Sequence, residues 1–218
     1  MAVSPRCDMR RAYSPAQNAV VTDIHSFSVS PPDANAKYVG RPSPALDRAW
    51  ADLLQYSNIR FTDEEFHTIH PDRIDNAIKL PDGGYFGSLF VYHELHCLKH
   101  IYRFVYKEHY LPPLNETESD DLRIHIGHCI DTIRQAVLCH ADITPFTMTW
   151  PKTYAVPGAN TTSPHTCVSW DAVNSWARSR SIDNIFEPGY LKHPVFGDVY
   201  GKDFEDSINR KTGFTHSN

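Results

Sequence analysis

Little in this 218-residue chain points to a cross-linked scaffold, a nucleic-acid surface or a membrane span. Its five cysteines, Cys7, Cys97, Cys129, Cys139 and Cys167, are too few for a fold built on disulfides. They suffice for one or two bridges. Lys and Arg number 21 against 26 Asp and Glu, a net charge of −5, so no basic face is available for nucleic acid. No apolar run approaches the roughly 20 residues of a spanning helix. No apolar core follows the basic N-terminal residues, so the chain as given carries no signal or membrane segment and reads as soluble. The length is enough to bury a substantial core, and one domain is expected rather than two.

Histidine, by contrast, is abundant, at 13 residues. Four of these belong to one motif written twice: His93-Glu-Leu-His96-Cys97 and His125-Ile-Gly-His128-Cys129, 32 residues apart. Residues i, i+3 and i+4 share a helix face, so each copy projects two imidazoles and a sulfur sideways. A lone H-x-x-H recurs by chance and a lone helical histidine is usually structural. Two copies place four imidazoles where facing helices can converge them, and imidazole is the commonest metal ligand. The expected ligands are His93, His96, His125 and His128. Without acidic ligands, the set suits copper or zinc better than magnesium or calcium. His100 and His140 could extend the set, since His100 follows His93 by two turns, but each is rather expected as a surface or supporting group, and His67, His70 and His109 as solvated positions. Tyr92 and Tyr102 read as core packing, and Glu94 as part of a solvated face.

The expected fold is mainly α, a single domain on two long motif-bearing helices with long irregular loops and little strand. Residues 1–42 are aperiodic and read as an extended arm with a short strand at Ile24–Val29. Ser43-Pro44 opens a helix through Leu54 whose stripe is Leu46, Trp50, Leu53 and Leu54. Thr62-Asp-Glu-Glu65 is a capping box for a short helix, and Asp82-Gly-Gly84 marks a turn. The first motif helix is expected from Leu89 to Tyr110, stopped by Pro112-Pro113. The second begins near Glu118–Asp120, with Leu122, Ile126, Ile130, Ile133 and Val137 as its stripe. Residues 146–166 form a Pro/Thr-rich connection long enough to cover a pocket, and a last short helix spans Trp170–Arg178.

With those boundaries His96 lies about 20 Å before its helix end and His125 about 8 Å into the next, so the loop must run back for the motifs to meet. Cys129 and Cys139 are about 15 Å apart on one helix, beyond disulfide reach. The pairing Cys97–Cys129 with Cys139–Cys167 is preferred to the crossed one, although level antiparallel helices are expected to separate Cys97 from Cys129. Four free buried thiols is the alternative. Asn115-Glu-Thr and Asn160-Thr-Thr are glycosylation acceptor patterns in polar loops, as lumenal or secreted exposure requires.

Several phrases together resemble the UstYa family of fungal proteins: Pro44-Ala-Leu-Asp-Arg-Ala-Trp50, Tyr92-His-Glu-Leu-His-Cys-Leu98, His125-Ile-Gly-His-Cys-Ile-Asp131, Arg134-Gln135, Cys139-x-Ala-Asp142-x-Thr144-Pro145 and His165-Thr-Cys167-x-x-Trp170. The resemblance covers about residues 42–178 and implies that 43–218 is a metal-binding catalytic domain. It implies copper, one or two ions, with dioxygen as oxidant. The expected activity is oxidative tailoring of a peptide-derived fungal metabolite: cyclisation, hydroxylation or halogenation. It also implies a secretory-lumen location, a small-molecule or peptide substrate, and pairing with itself or a related protein. Family members usually carry an N-terminal membrane helix, which is not in this sequence. Two other readings stand beside the oxidase: a metal-independent cyclase using the four histidines as acid and base, and a non-enzymatic module clamped by zinc.

Overall fold

The computed structural model describes residues 12–27, 37–72, 74–153, 155–160, 162–195, 197–198 and 200. Among these, helix outweighs strand, 44% against 16%. The strands form four separate two-stranded antiparallel sheets.

The expected arm is partly docked. Its strand is β1 (Thr22–Ser26), two residues earlier than the reading of Ile24–Val29, whose last two residues lie outside those described. It pairs antiparallel with β6 (Pro164–Val168), setting Thr22 opposite Val168. The helix α1 (Pro44–Leu54) starts where Ser43 accepts the Leu46 N–H at 3.2 Å, and it buries Leu46, Ala49 and Trp50. β2 (Ile59–Phe61) leads to α2 (Asp63–Ile69), whose capping box between Thr62 and Glu65 is formed on both sides. The Asp82-Gly-Gly84 turn delivers β3 (Tyr85–Gly87) onto β2. Gly83 and Gly84 take φ of 99° and 76°, which a side chain resists.

The first motif lies on α3 (Phe90–Val105). The expectation of one helix to Tyr110 needs correction: Tyr106 leaves the helical region, and a separate turn, α4 (Lys107–Tyr110), follows. Tertiary hydrogen bonds account for the break. Tyr110 donates to Asp47 on α1 at 2.8 Å and Tyr102 donates to the Gly40 carbonyl at 3.2 Å. The second motif lies on α5 (Glu116–His140), which starts before the expected Glu118. Asn115 caps it by accepting the Glu118 N–H at 2.9 Å, while the Glu118 carboxylate accepts the Asn115 N–H. That capping box overlaps the glycosylation pattern and is legible as Asn-x-x-Glu.

These two shifts decide the register. His96 sits nine residues before the end of α3, and His125 nine residues after the start of α5. Each is therefore about 13.5 Å from the connection, and the motifs meet without the loop running back. Cys97 and Cys129, expected to be separated, are instead close enough for their thiols to hydrogen-bond. The buried face of α5 also differs from the expected stripe: Ile126, Cys129 and Thr132 are buried, whereas Ile130 and Val137 are 55% and 65% exposed.

The connection at 146–166 holds β4 (Thr147–Thr149) and β5 (Gly158–Asn160), paired as a hairpin. Beyond β6, α6 (Trp170–Arg178) occupies the expected span. β7 (Lys192–His193) and β8 (Gly197–Asp198) close the described chain. One core gathers Ile59, Phe61, Tyr92 and Ala177, with Leu54, Val91, Trp170 and Trp176 packed against it. A second gathers Leu80, Ile182, Ile185 and Leu191. α3 is thus held by the first core on one face and by α5 on another.

Candidate metal centre

Cys97 and Cys129, both fully buried, define the line along which α3 and α5 pack. Burial, together with the hydrogen bond that the Cys129 S–H donates to Cys97, pushes the Cys129 thiol up to about 12. All four described cysteines are free thiols in this structure: Cys139 is exposed and Cys167 half-buried. Cys7 lies outside the described residues. The sulfurs of the two motifs are therefore turned into the helix interface, and the imidazoles stand beside it.

Those imidazoles form a row that spans both helices. His93 on α3 faces His128 on α5 with ring centres 5.7 Å apart. Within each motif the spacing is wider, 6.4 Å for His93–His96 and 6.4 Å for His125–His128. The row is completed by His100, expected as a supporting group. Its ring centre is 4.3 Å from His96 and 5.0 Å from His125. The sequence carried a signal for it, since His100 follows His96 by four residues and shares its face. His140 stays apart, its ring bonded to the Ala136 carbonyl at 2.9 Å on an exposed turn. His67 and His109 are exposed, and His70 lies half-buried against Phe66.

Burial holds two members of the row, His100 and His125, toward the neutral form. Burial pushes the His100 imidazole down to about 3, helped by the neighbouring rings of His96 and His125 and by Arg103. His125 is shifted the same way, by burial first and then by His128 and His93. Neutral nitrogens are what metal ligation needs. The fit is pairwise: with a metal–nitrogen bond of about 2.0 Å, two imidazoles on one ion have ring centres about 4.5–6.5 Å apart. The observed spacings, from 4.3 to 6.4 Å, span that interval. Among the described residues no group of three or more His, Cys, Asp or Glu side chains is placed so that it could hold a metal ion.

A cavity of about 600 Å³ opens on the α3 side of the row. His93, His96 and His100 form one wall, and Lys99 and Arg103 continue it along the same helix. Asp52, Ser181, Asp183 and Phe186 are among the residues opposite. Lys99 is only 8% exposed, and burial, then Arg103, lowers its pKa. Tyr92 reaches this cavity from the core, its hydroxyl donating to Asn174 at 2.8 Å. Glu94 does not line it, nor does any described residue of the 146–166 connection, the segment read as long enough to cover a pocket. The hairpin there is exposed. His165 is bound by Asp142 at 2.6 Å and stacked on Phe27, which pins β6 to the segment after α5 and to the arm.

A helical protein with paired imidazole motifs on two packed helices is the class these observations define. The chain belongs to the family described as Mycotoxin biosynthesis protein UstYa, which it matches over residues 3–180, further into the arm than the motif phrases alone reach. It is similar to the UstYa family oxidase phomYc of Diaporthe leptostromiformis, 27% identical over 69% of this chain and 61% of that protein. It is also similar to the UstYa family oxidase VicYb of Bipolaris victoriae (strain FI3), 37% identical over 43% of this chain and 80% of that protein. A third relative, the Transacylase cctO of Talaromyces islandicus, is 24% identical over 79% of this chain and 61% of that protein. The chain spans about half to three fifths of the length of several curated relatives it matches. No solved structure matches it. No helix among the described residues is long and apolar enough to cross a membrane.

Proposed function

We propose that the chain is an oxidoreductase of fungal secondary metabolism that tailors a peptide-derived natural product at the imidazole row, using copper and dioxygen. One observation carries the reading: the wall of the cavity and the imidazole row are the same residues, His93, His96 and His100. A substrate in the cavity is thereby set against whatever the row holds. His93, His96, His125 and His128 are the proposed ligands and the catalytic set. Bound copper supplies one-electron chemistry toward dioxygen.

The chain's own residues do the rest. Lys99 and Arg103 present two cations beside the imidazoles and orient a substrate carboxylate. Phe186 and Ile182 provide apolar wall and exclude water. Cyclisation is the proposed outcome, with hydroxylation and halogenation as variants of the same oxidation. Secretory-pathway folding belongs to the proposal, with glycans on Asn115 and Asn160, both exposed, and with the thiols that are free in this structure oxidised in that compartment to Cys97–Cys129 and Cys139–Cys167.

The test is copper content on copper-loaded protein beside His93→Ala and His125→Ala. Specific copper that both substitutions abolish supports the reading, and copper uptake indifferent to both overturns it. A second reading draws on the relative named Transacylase: the neutral imidazoles act as acid and base without redox chemistry. Turnover that survives chelation and consumes no oxygen selects it.

A further inference from the structure

Two cations on the cavity wall lack a counter-ion among the described residues. Lys99 and Arg103, one helical turn apart on α3, share a stripe beside the imidazoles and line the cavity with them. Lys99 is 8% exposed, yet among the described residues its ammonium makes no hydrogen bond and no ion pair. Asp47, the carboxylate whose charge reaches it, accepts the Tyr110 hydroxyl at 2.8 Å. The Arg103 guanidinium lies 5.4 Å from the centre of the Tyr110 ring and makes no ion pair with a described residue either. Asp52 and Asp183 line the cavity too, but both are exposed and neither pairs with these cations. A buried cation is stable when an anion meets it, so this end of the cavity is built for a negative group.

We infer that Lys99 and Arg103 form the subsite for the C-terminal carboxylate of a linear peptide, whose last residues then lie along α3 against the imidazoles. The inference rests on the cavity being the substrate site, as proposed above, and adds which end of the substrate is held and in what order the reactions run. An ammonium and a planar guanidinium one turn apart match the two oxygens of one carboxylate. Burial of Lys99 selects a chain end. A peptide continuing beyond its carboxylate has to pass a nearly closed surface, whereas a terminus stops there. The carboxamides of Gln55 and Asn58 line the same cavity and match the donors and acceptors of a peptide backbone. Along α3 the rise from His93 to Lys99 is about 9 Å, which an extended chain covers in about three residues. The side chain presented to the imidazoles therefore belongs to one of about the last three residues of the peptide. A longer precursor has no carboxylate at that place. The reaction that supplies the substrate is accordingly a hydrolysis: water adds across a peptide bond, leaving the carboxylate on the fragment that binds and an amine on the other. It must precede oxidation.

The experiment is isothermal titration calorimetry of the metal-free full chain with the peptide N-acetyl-Ala-Phe-Gly, beside the same peptide as its C-terminal amide. The phenylalanine suits the apolar wall at Ile182 and Phe186, and the acetyl group removes any contribution from an N-terminal amine. The acid is expected to bind at least about tenfold more tightly than the amide, the difference one charged hydrogen bond makes. Lys99→Met and Arg103→Gln should each abolish that preference, leaving acid and amide alike. Far-UV circular dichroism on each variant separates loss of the subsite from loss of fold, and Arg103→Gln, at a half-buried position, reads the same subsite if Lys99→Met does not fold. N-acetyl-Ala-Phe-Glu amide carries its only carboxylate on a side chain. Affinity for it equal to that for the free acid would assign the cations to acidic side chains and overturn the chain-end inference. So would equal affinity for acid and amide, a preference unchanged in both variants, or no binding of the acid up to about 10 mM. Metal is absent throughout, so failure here leaves the copper reading to the copper count, and failure of the copper reading leaves the acid-over-amide preference standing.

Discussion

Cys97 and Cys129 meet, fully buried, where the two motif helices touch, so each pentapeptide spends its cysteine on packing and its histidines on the row beside it. Sulfur at these positions sets how closely α3 and α5 approach, and hence how far apart the imidazoles stand.

Reduced native protein treated with iodoacetamide near pH 8 should therefore be labelled at Cys139 and spared at Cys97 and Cys129, because burial excludes the reagent and holds the Cys129 thiol protonated. Peptide mapping reads the result. Cys129→Ala should cost about 1–2 kcal/mol in urea denaturation, the order expected for deleting a small buried group from a packed interface.

Asn115 has a structural task separate from any glycan. Asn115→Ala should destabilise by about 1 kcal/mol through loss of the cap on α5, whereas Asn115→Asp keeps the acceptor and should retain most of that stability. Equal losses in both variants, in unglycosylated protein, would count against the capping account.

The pH dependence follows from His100. Its folded pKa, about 3, lies below its ordinary value of 6.5, so below pH 6.5 the unfolded chain binds a proton that the folded chain does not. The contribution is fully present above pH 6.5 and is lost as pH falls toward 3. His125 is shifted in the same direction and adds to the slope. Urea midpoints of the metal-free protein should fall between pH 7 and pH 4.5, and His100→Gln should flatten that fall. A wild-type midpoint constant across this interval would contradict the burial of His100.

Lys99 is held against its own stability. Its ammonium is buried beside Arg103, with Asp47 as the opposing charge. Lys99→Met should leave the melting temperature unchanged or raised, because a desolvated cation is exchanged for an apolar chain of similar length. Substrate turnover should fall about tenfold or more, the loss expected for one charged hydrogen bond. A lowered melting temperature would instead make Lys99 a structural partner of Asp47.

Much of this was legible from residue pattern. The caps at Ser43 and Thr62, the turn at Gly83-Gly84, the span of α6 and the repeated motif are local features, governed by hydrogen bonds and backbone preferences within a few residues. The same local chemistry at Asn115 was open to reading as Asn-x-x-Glu, but the overlapping glycosylation pattern masked it. The break at Tyr106 had no local signal, since Tyr102, Tyr106 and Tyr110 continue a helical spacing. It comes from hydrogen bonds to Asp47 and Gly40, some 60 residues away in the chain.

The chain's own residues, taken in order, settle that two imidazole-bearing helices exist and that the repeated motif carries histidine rather than carboxylate on them. Periodicity and capping suffice for that because they act over one or two helical turns. Which imidazoles face which is another matter. With α3 ending at Val105 and α5 starting at Glu116, His93 stands level with His128 and faces it, while packing also sets His100 against His125 and leaves Ile130 and Val137 exposed. A pairing between helices depends on where both begin and end, and long-range contacts with α1 and the preceding loop set those limits. His100 joins the row, and the 146–166 hairpin stays out of the cavity, because packing alone chooses which face of a helix meets a neighbour.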